Sequence, residues 1–427
     1  MTYTLQKKSL YKAWLVVLLL YFNFPFFLKS FVFLQQLFIW GACLLYVLIN
    51  IDIVLNNGGR NAIQNDSNRM FLYLYLIFVI MVVLVPVLHN TGELNYFRRI
   101  FYFTMRLVQY CALYIFTAKK IKQNQITIYM ECFTTSCVLY VIISVFMLLN
   151  PWFREFWGTI IRVTETEERV AGELMYITRF GLAGFSGFQA TFMCSVGVVF
   201  SLYLILQKHM ATRHFLKMIA CLFGNFFYGR IGMVISFVCI LLFLGYYIVR
   251  KKDVKLLLAT GISAFLIFSY IAYLYNANTA VSVGIRWIFS PVINLVTTGR
   301  FNSSSFNSLL EMYFLPGSET LLFGDGRYIN PDGTYYMHTD AGFMRLMLYG
   351  GVLVQGIIYF SIVFLLISCV CTLKKYSRFG YVFMLVLFLI LFLLFEFKGE
   401  IYFNFLAVLL PLALCTQNVK YSLVNSK

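Results

Sequence analysis

The chain has 427 residues but few charged side chains, and acidic ones are scarcer than basic ones. Only 12% of its residues are charged and 61% are apolar, whereas a soluble domain carries about 25% charged residues. So little charge cannot cover the surface of a water-soluble domain of this size. The composition therefore excludes an ordinary soluble protein and indicates one that lies in lipid.

Cysteine pairs of the kind that build a disulfide framework or a zinc site are also missing. All ten cysteines fall inside apolar runs, and no two of them are spaced as CxxC. Zinc sites are recognised by CxxC pairs, and disulfide frameworks by cysteines in loops, and this sequence has neither. We expect these cysteines to pack inside helices rather than to form disulfides or a zinc site, and no cofactor is expected.

Long apolar runs dominate what is present. About 20 apolar residues cross the roughly 30 Å of bilayer hydrocarbon. Runs near this length occur at residues 13–28, 31–49, 70–88, 100–117, 126–149, 183–206, 215–229, 231–249, 256–275, 341–373, 380–396 and 401–416. The pattern predicts an all-α polytopic membrane protein with about 12 transmembrane helices. We expect one integral membrane domain, residues 1–427, with two larger extracytoplasmic loops at 150–182 and 276–340.

The basic residues predict the orientation. With the N-terminus inside, every short loop assigned to the cytoplasm is basic, which agrees with the positive-inside rule. This threading depends on a helix break at Gly229-Arg230. A single unbroken helix over residues 215–249 would place two basic clusters on opposite faces of the membrane. We therefore expect both termini in the cytoplasm and Arg230 at the depth of the outer headgroups.

The outer segments carry arginine where the cytoplasmic ones carry mostly lysine. The planar guanidinium binds phosphate through two hydrogen bonds at once and stays charged. The basic residues assigned to the outer side are Lys29, Arg98, Arg99, Arg154, Arg162, Arg169, Arg179, Arg230, Arg286, Arg300, Arg327 and Lys398. For Arg154, Arg162 and Arg169 we favour pairing with nearby glutamates. The others predict an anionic ligand such as a lipid diphosphate.

Residues 321–351 are the most informative stretch of the chain. A glycine turn with Asp325 and Arg327 leads to His338 and Asp340. Asp340 stands just before the next apolar run, so it either caps that helix or has a further role. His338 is either an ordinary loop residue or a proton acceptor.

Arg345 lies in the first turns of the helix predicted over residues 341–373. Thirty-three residues would extend near 50 Å at about 1.5 Å per residue, which is longer than one crossing needs. Arg345 should therefore lie at or above the outer headgroups. A charge at that depth is usually functional or paired.

Four short motifs resemble those of Wzy-type O-antigen polymerases and the related O-antigen ligases. They are Thr178-Arg179-Phe180-Gly181-Leu182, Gly229-Arg230-Ile231-Gly232, Thr298-Gly299-Arg300-Phe301, and Leu322-Phe323-Gly324-Asp325-Gly326 followed by His338-Thr339-Asp340-Ala341-Gly342-Phe343-Met344-Arg345. Their order resembles the family over about residues 150 to 360, and the first 140 residues resemble it in hydropathy alone.

The resemblance implies a membrane glycosyltransferase at the periplasmic face of the bacterial inner membrane. It would join undecaprenyl-diphosphate-linked oligosaccharide units, as donor and acceptor, into O-antigen or another surface polysaccharide, with inversion and without a metal ion. His338 and Asp340 would be catalytic, and the diphosphate-binding residues would be Arg179, Arg230, Arg300, Arg327 and Arg345. A chain-length regulator is a candidate protein partner, and no nucleic acid is expected.

Three other interpretations stay open at this point. An O-antigen ligase shares the chemistry but transfers the glycan to lipid A core. A flippase for lipid-linked oligosaccharides would be expected to have short loops, an internal repeat and buried mid-membrane charges, for which Arg106 and Glu131 are the main candidates. Asp325, Asp332 and Asp340 carry hard oxygen ligands on one loop and leave a divalent-metal site as the third alternative.

Overall fold

The computed structural model describes residues 2–55, 62–121, 124–163, 174–207, 211–251, 304–374 and 379–424. The predicted helix 256–275, the motif at Arg300 and the first part of the loop 276–340 lie outside these ranges. Within them the helices are α1 (Thr2–Asn23), α2 (Val32–Ile49), α3 (Ile51–Leu55), α4 (Ala62–Leu88), α5 (Asn95–Lys120), α6 (Gln125–Leu149), α7 (Pro151–Ile160), α8 (Leu174–Arg179), α9 (Gly187–Leu206), α10 (Ala211–Tyr228), α11 (Arg230–Lys251), α12 (Ser304–Glu311), α13 (Ser318–Phe323), α14 (Gly342–Lys374), α15 (Phe379–Lys398) and α16 (Tyr402–Val424).

Eight of the described helices are long and apolar enough to cross a bilayer. They contain the segments Val32–Ile49, Arg69–Leu88, Asn95–Lys120, Gln125–Leu149, Gly187–Leu206, Arg230–Val249, Gly342–Cys371 and Gly380–Lys398. Two shorter apolar helices, Ser9–Asn23 and Tyr402–Thr416, accompany them. The chain is thus an all-α, multi-pass membrane protein, as its composition predicts. The count of about twelve crossings stays a prediction.

Two helices, α9 and α16, form the centre of the bundle. α9 packs against α6, α10, α11 and α15, and α16 packs against α5 and α14. Small residues allow close approach: a Cβ on Gly197 would lie 2.8 Å from Cys221 Sγ, and one on Gly224 would lie 2.5 Å from Val141 Cγ2. Glycine at such positions lets neighbouring backbones come together in a membrane.

The helix break predicted at Gly229 is present, since α10 ends at Tyr228 and α11 begins at Arg230. A buried polar network holds the two helices against α9. Thr191 Oγ1 donates to Asn225 Oδ1 at 2.7 Å, and Asn225 Nδ2 donates to Ser236 Oγ at 3.0 Å. The network fixes the backbone that carries Arg230.

α14 was predicted as one continuous helix, but the structure interrupts it at Gly351, where φ is +69°. The backbone N–H groups of Asp325 and Gly326 donate to Leu348 O at 2.8 Å and Tyr349 O at 3.0 Å. These bonds satisfy carbonyl groups that a helix end leaves without partners. The glycine-rich turn therefore closes the first, short part of α14, which carries Arg345.

The two loops that the sequence predicts to lie outside contain short ordered elements. In the first loop, α7 begins with Asn150 Oδ1 accepting from Phe153 N at 3.1 Å, and Phe180–Gly181 pairs antiparallel with Gly184–Phe185. In the second loop, α12 (Ser304–Glu311) is a short helix of eight residues.

Candidate functional site

The turn between α15 and α16 gathers charged residues from distant parts of the chain. Glu400 on this turn is buried, and its Oε2 atom accepts the Tyr328 hydroxyl at 2.5 Å. The same oxygen pairs with Arg99 Nη2 at 3.2 Å and with Arg345 Nη1 at 3.4 Å. Two guanidinium groups thus surround one carboxylate, which leaves an excess of one positive charge.

Arg345 is the most constrained of these groups. Its guanidinium lies between two aromatic rings, with its carbon 4.0 Å from the Tyr328 centroid and 3.9 Å from the Tyr335 centroid. Such stacking is typical of arginine at recognition sites. Its Nε and Nη2 atoms are buried and have no hydrogen-bond partner in the described part of the chain. The Nε–Nη2 edge is one side of the fork that can bind two phosphate oxygens at once.

The loop that carries Tyr328 is held by the turn between α4 and α5. Both carboxylate oxygens of Glu93 accept from this loop, from Tyr328 N at 2.6 Å and from Ile329 N at 3.1 Å. Thr91 Oγ1 donates to Gly326 O at 2.8 Å. Burial raises the pKa of Tyr328 well above its usual value, and the Glu400 carboxylate raises it further. Tyr328 is therefore a neutral hydrogen-bond donor to Glu400.

Arg179 and Arg230 form a second basic group. Burial lowers the pKa of Arg179, and the positive charge of Arg230 lowers it further. Arg179 packs on the start of α9, where a Cβ on Gly187 would lie 3.3 Å from Arg179 Cδ. That Cβ would also lie 3.3 Å from the carbonyl oxygen of Tyr228, two residues before Arg230. Two charges of one sign held this close favour an anion beside them.

The two basic groups lie at the same end of the bundle. Phe188, which follows the glycine against Arg179, reaches the α15–α16 turn, where a Cβ on Gly399 would be 3.0 Å from its ring. That Cβ would also be 3.6 Å from the carbonyl oxygen of Asp340. A short path of contacts thus joins Arg179 to the turn that carries Glu400.

The predicted pair of His338 and Asp340 is not joined by a hydrogen bond in the described structure. Both oxygens of Asp340 lie 3.3 Å from Lys398 Nζ. The described contacts of the Asp340 carboxylate are with Lys398 and not with a backbone N–H at the start of α14, and the N–H of Ala341 donates to Thr339 Oγ1 at 3.3 Å. An ion pair, rather than a cap or the histidine, is therefore the described partner of Asp340.

His338 itself is exposed and follows Met337 in a left-handed conformation, with φ of +53° and +54°. A residue other than glycine in this conformation carries a conformational free-energy cost on the order of 1–3 kcal/mol. Its charged neighbour is Asp332, an exposed residue whose pKa is lowered by hydrogen bonds from Thr334 and, less strongly, by the charge of His338. The catalytic role of His338 stays a prediction.

The remaining predicted site residues are dispersed. Arg327 is exposed, and its positive charge partly offsets the rise that burial and Asp325 cause in the pKa of Tyr336. The hydroxyl of Tyr336 donates to Asp325 Oδ2 at 3.0 Å. Arg300 lies outside the described residues. Of the five predicted arginines, the structure brings together Arg179 and Arg230, and it places Arg345 at the same end of the bundle.

Sequence reasoning missed Glu400, Glu93 and the two tyrosines around Arg345, and it placed Arg99 only in the general set of outer basic residues. The signal was present in residues 396–400, Glu-Phe-Lys-Gly-Glu, which place three charges between two apolar runs. An acid that close to a membrane helix needs a partner. The sequence does not show that its partners lie some 300 and 55 residues earlier, because that depends on the packing of the bundle.

The three aspartates considered as a metal site have separate partners. Asp325 accepts from Thr320 and Tyr336, Asp332 accepts from Thr334, and Asp340 pairs with Lys398. Among the described residues, no group of three or more His, Cys, Asp or Glu side chains is arranged to hold a metal ion.

No protein-family model, curated protein or solved structure matches this chain.

Proposed function

We propose that this protein polymerises undecaprenyl-diphosphate-linked oligosaccharide units into O-antigen or a related surface polysaccharide. The reaction takes place at the periplasmic face of the bacterial inner membrane, with both termini in the cytoplasm. The observation that carries the proposal is the buried Nε–Nη2 edge of Arg345, at the end of the bundle that also holds Arg179 and Arg230.

The charges at this end suit a diphosphate leaving group. An acceptor hydroxyl attacks the anomeric carbon of the growing glycan, the bond from that carbon to the diphosphate oxygen breaks, and the electron pair stays on the diphosphate. Arginines fixed in a site with little water stabilise this developing charge strongly. Arg345 contributes two parallel donors, and Arg179 and Arg230 add two permanent positive charges nearby.

The remaining rate acceleration comes from holding the two substrates in the right relative position. Donor and acceptor are both lipid-linked, so the membrane already restricts them to one plane, and a site at the bundle end brings them into register. His338 and Asp340, near the outer surface, are placed to contact the incoming acceptor glycan. In this proposal the substrates are oligosaccharides linked to undecaprenyl diphosphate, and the protein partner is a chain-length regulator.

A flippase is the alternative that one observation favours, because transporters use interrupted helices as binding sites and α14 is interrupted at Gly351. In transporters the broken backbone lines the substrate path. Here the backbone of Asp325 and Gly326 occupies that position and bonds to Leu348 O and Tyr349 O. The interruption thus holds the outer loop, which favours an enzyme.

The test uses the purified full chain in nanodiscs with lipid-linked repeat units. Polymerisation predicts a ladder of products that carry increasing numbers of units, with no other acceptor added. A ligase would form product only after addition of lipid A core, and a flippase would form no glycosidic bond. The same reaction with a chelator addresses the metal-dependent alternative. A preparation that binds lipid-linked units but makes no ladder refutes the proposal.

A further inference from the structure

Glu400 differs from the other described carboxylates at this end of the bundle in the hydrogen bonding of its two oxygens. Three donors converge on its Oε2 atom, but its buried Oε1 atom has no hydrogen-bond partner among the described residues. A buried carboxylate oxygen without a partner costs about 1–3 kcal/mol or more. An oxygen kept in that state at a proposed active site indicates a hydrogen-bonding role toward a ligand.

The neighbouring acids have no such oxygen. Glu396 accepts the hydroxyl of Tyr359 on Oε1 and two backbone N–H groups on Oε2. Both oxygens of Glu93 accept backbone N–H groups, and both oxygens of Asp340 face Lys398. These carboxylates fix loops and helix ends, whereas Glu400 retains one oxygen for another donor.

The Oε1 atom and the Nε–Nη2 edge of Arg345 belong to one cluster, because the two side chains form an ion pair. One supplies an acceptor and the other supplies two donors. Tyr335 and Arg99, which border this cluster, are both about two-fifths exposed, so it lies directly under the protein surface. An acceptor beside a phosphate-binding edge suits a hydroxyl group adjacent to a phosphate group.

We propose that Glu400 is the catalytic base that receives the proton of the acceptor hydroxyl; this inference rests on the proposed function. The hydroxyl hydrogen-bonds to Oε1 while Arg345 holds the diphosphate. As the hydroxyl oxygen bonds to the anomeric carbon, its proton passes to Oε1 and the diphosphate leaves with the electron pair of the broken bond. A carboxylate base is the usual choice in inverting chemistry at sugar carbons.

Two arginine side chains lie against the Glu400 carboxylate, Arg99 at 3.2 Å and Arg345 at 3.4 Å. In the described part of the chain the His338 side chain makes no hydrogen bond, and Asp340 is bound to Lys398. Glu400 is held from three sides, and a fixed position is what proton transfer requires. Glu400, rather than His338 or Asp340, therefore takes the proton.

The experiment compares Glu400→Gln with Glu396→Gln in full-length protein reconstituted in nanodiscs. Two quantities are measured: binding of undecaprenyl diphosphate, and turnover of lipid-linked repeat units across a range of pH. Glu400→Gln should bind within about threefold of wild type and lose about 100-fold or more of turnover, the typical contribution of a general base. The loss of activity at acidic pH should disappear in this variant. Glu396→Gln, which removes a buried acid near the end of α15, should keep turnover within about threefold and the wild-type pH profile.

Glu400→Asp serves if the glutamine variant does not accumulate, since it keeps the charge but withdraws the oxygen by about one bond length. It should also bind normally and turn over slowly. Near-normal turnover in either Glu400 variant overturns the assignment, and so does a slow variant whose pH profile matches that of wild type, because that indicates a purely structural role. If wild-type protein binds undecaprenyl diphosphate and forms no polymer, the proposed function fails instead.

Discussion

Replacing Arg345 by lysine keeps the positive charge but removes the Nε–Nη2 edge and the planar group stacked between Tyr328 and Tyr335. An ammonium can donate one good hydrogen bond to a phosphate where the guanidinium donates two parallel ones. Losing one charge-assisted bond is worth about 1.5–3 kcal/mol. Since about 1.4 kcal/mol corresponds to a tenfold change in affinity, undecaprenyl diphosphate should bind about 10- to 150-fold more weakly.

The assay is displacement of a fluorescent undecaprenyl diphosphate analogue from protein in nanodiscs at fixed salt. Arg98→Lys is the matched control, because Arg98 is exposed and adjoins the arginine that pairs with Glu400. Its binding should stay within about twofold of wild type, as expected for an exposed charge. Unchanged binding in Arg345→Lys, or an equal loss in Arg98→Lys, would refute the assignment of the Nε–Nη2 edge to phosphate.

Three further outcomes are expected. Gly351→Ala should lower the free energy of unfolding by about 2 kcal/mol or more, because alanine is strained at positive φ and its Cβ would meet Leu322 O at 2.1 Å. Gly356 on the same helix has open space around it, so Gly356→Ala should leave the thermal unfolding temperature unchanged. His338→Ala and Asp340→Asn should each lower turnover by less than about tenfold, well short of a lost general base; a larger loss in the histidine variant would return the base to that residue. A reporter fused near residue 330 should be external and one at the C-terminus cytoplasmic, and two reporters on one side would contradict the threading.

Much of the fold is visible in the sequence because lipid imposes a simple rule. Apolar runs of bilayer length must be helical, since every backbone group has to be satisfied within the segment. The break at Gly229-Arg230 was predictable from charge, because an unbroken helix would have reversed the positive-inside pattern. The interruption at Gly351 was not, because a glycine in an apolar run looks the same whether it serves close packing or a positive φ. Only the approach of residues 322–326 distinguishes them.

The site was predictable in its residue type and less so in its partners. The sequence indicates Arg345 as a phosphate-binding candidate because of the phosphate chemistry of the guanidinium and its place in the first turns of a long helix. The pairing of Arg345 with Glu400 depends on how α14 packs against the α15–α16 turn, and no local pattern encodes that contact. The contact of Asp340 with Lys398 was likewise not predictable, because the two residues are 58 positions apart in the chain; the catalytic roles of His338 and Asp340 stay predictions.

The order in which the chain emerges from the ribosome has a consequence for its assembly. Glu93 binds the backbone of Tyr328, 235 residues later, and Arg99 pairs with Glu400, which is synthesised later still. Until the last turn is inserted, both guanidinium groups at this site lack the carboxylate that balances them. A nascent chain halted before residue 400 should therefore hold the Tyr328 loop through Thr91 and Glu93 but not through Glu400. Protease should cut this loop faster in the halted chain than in the finished protein.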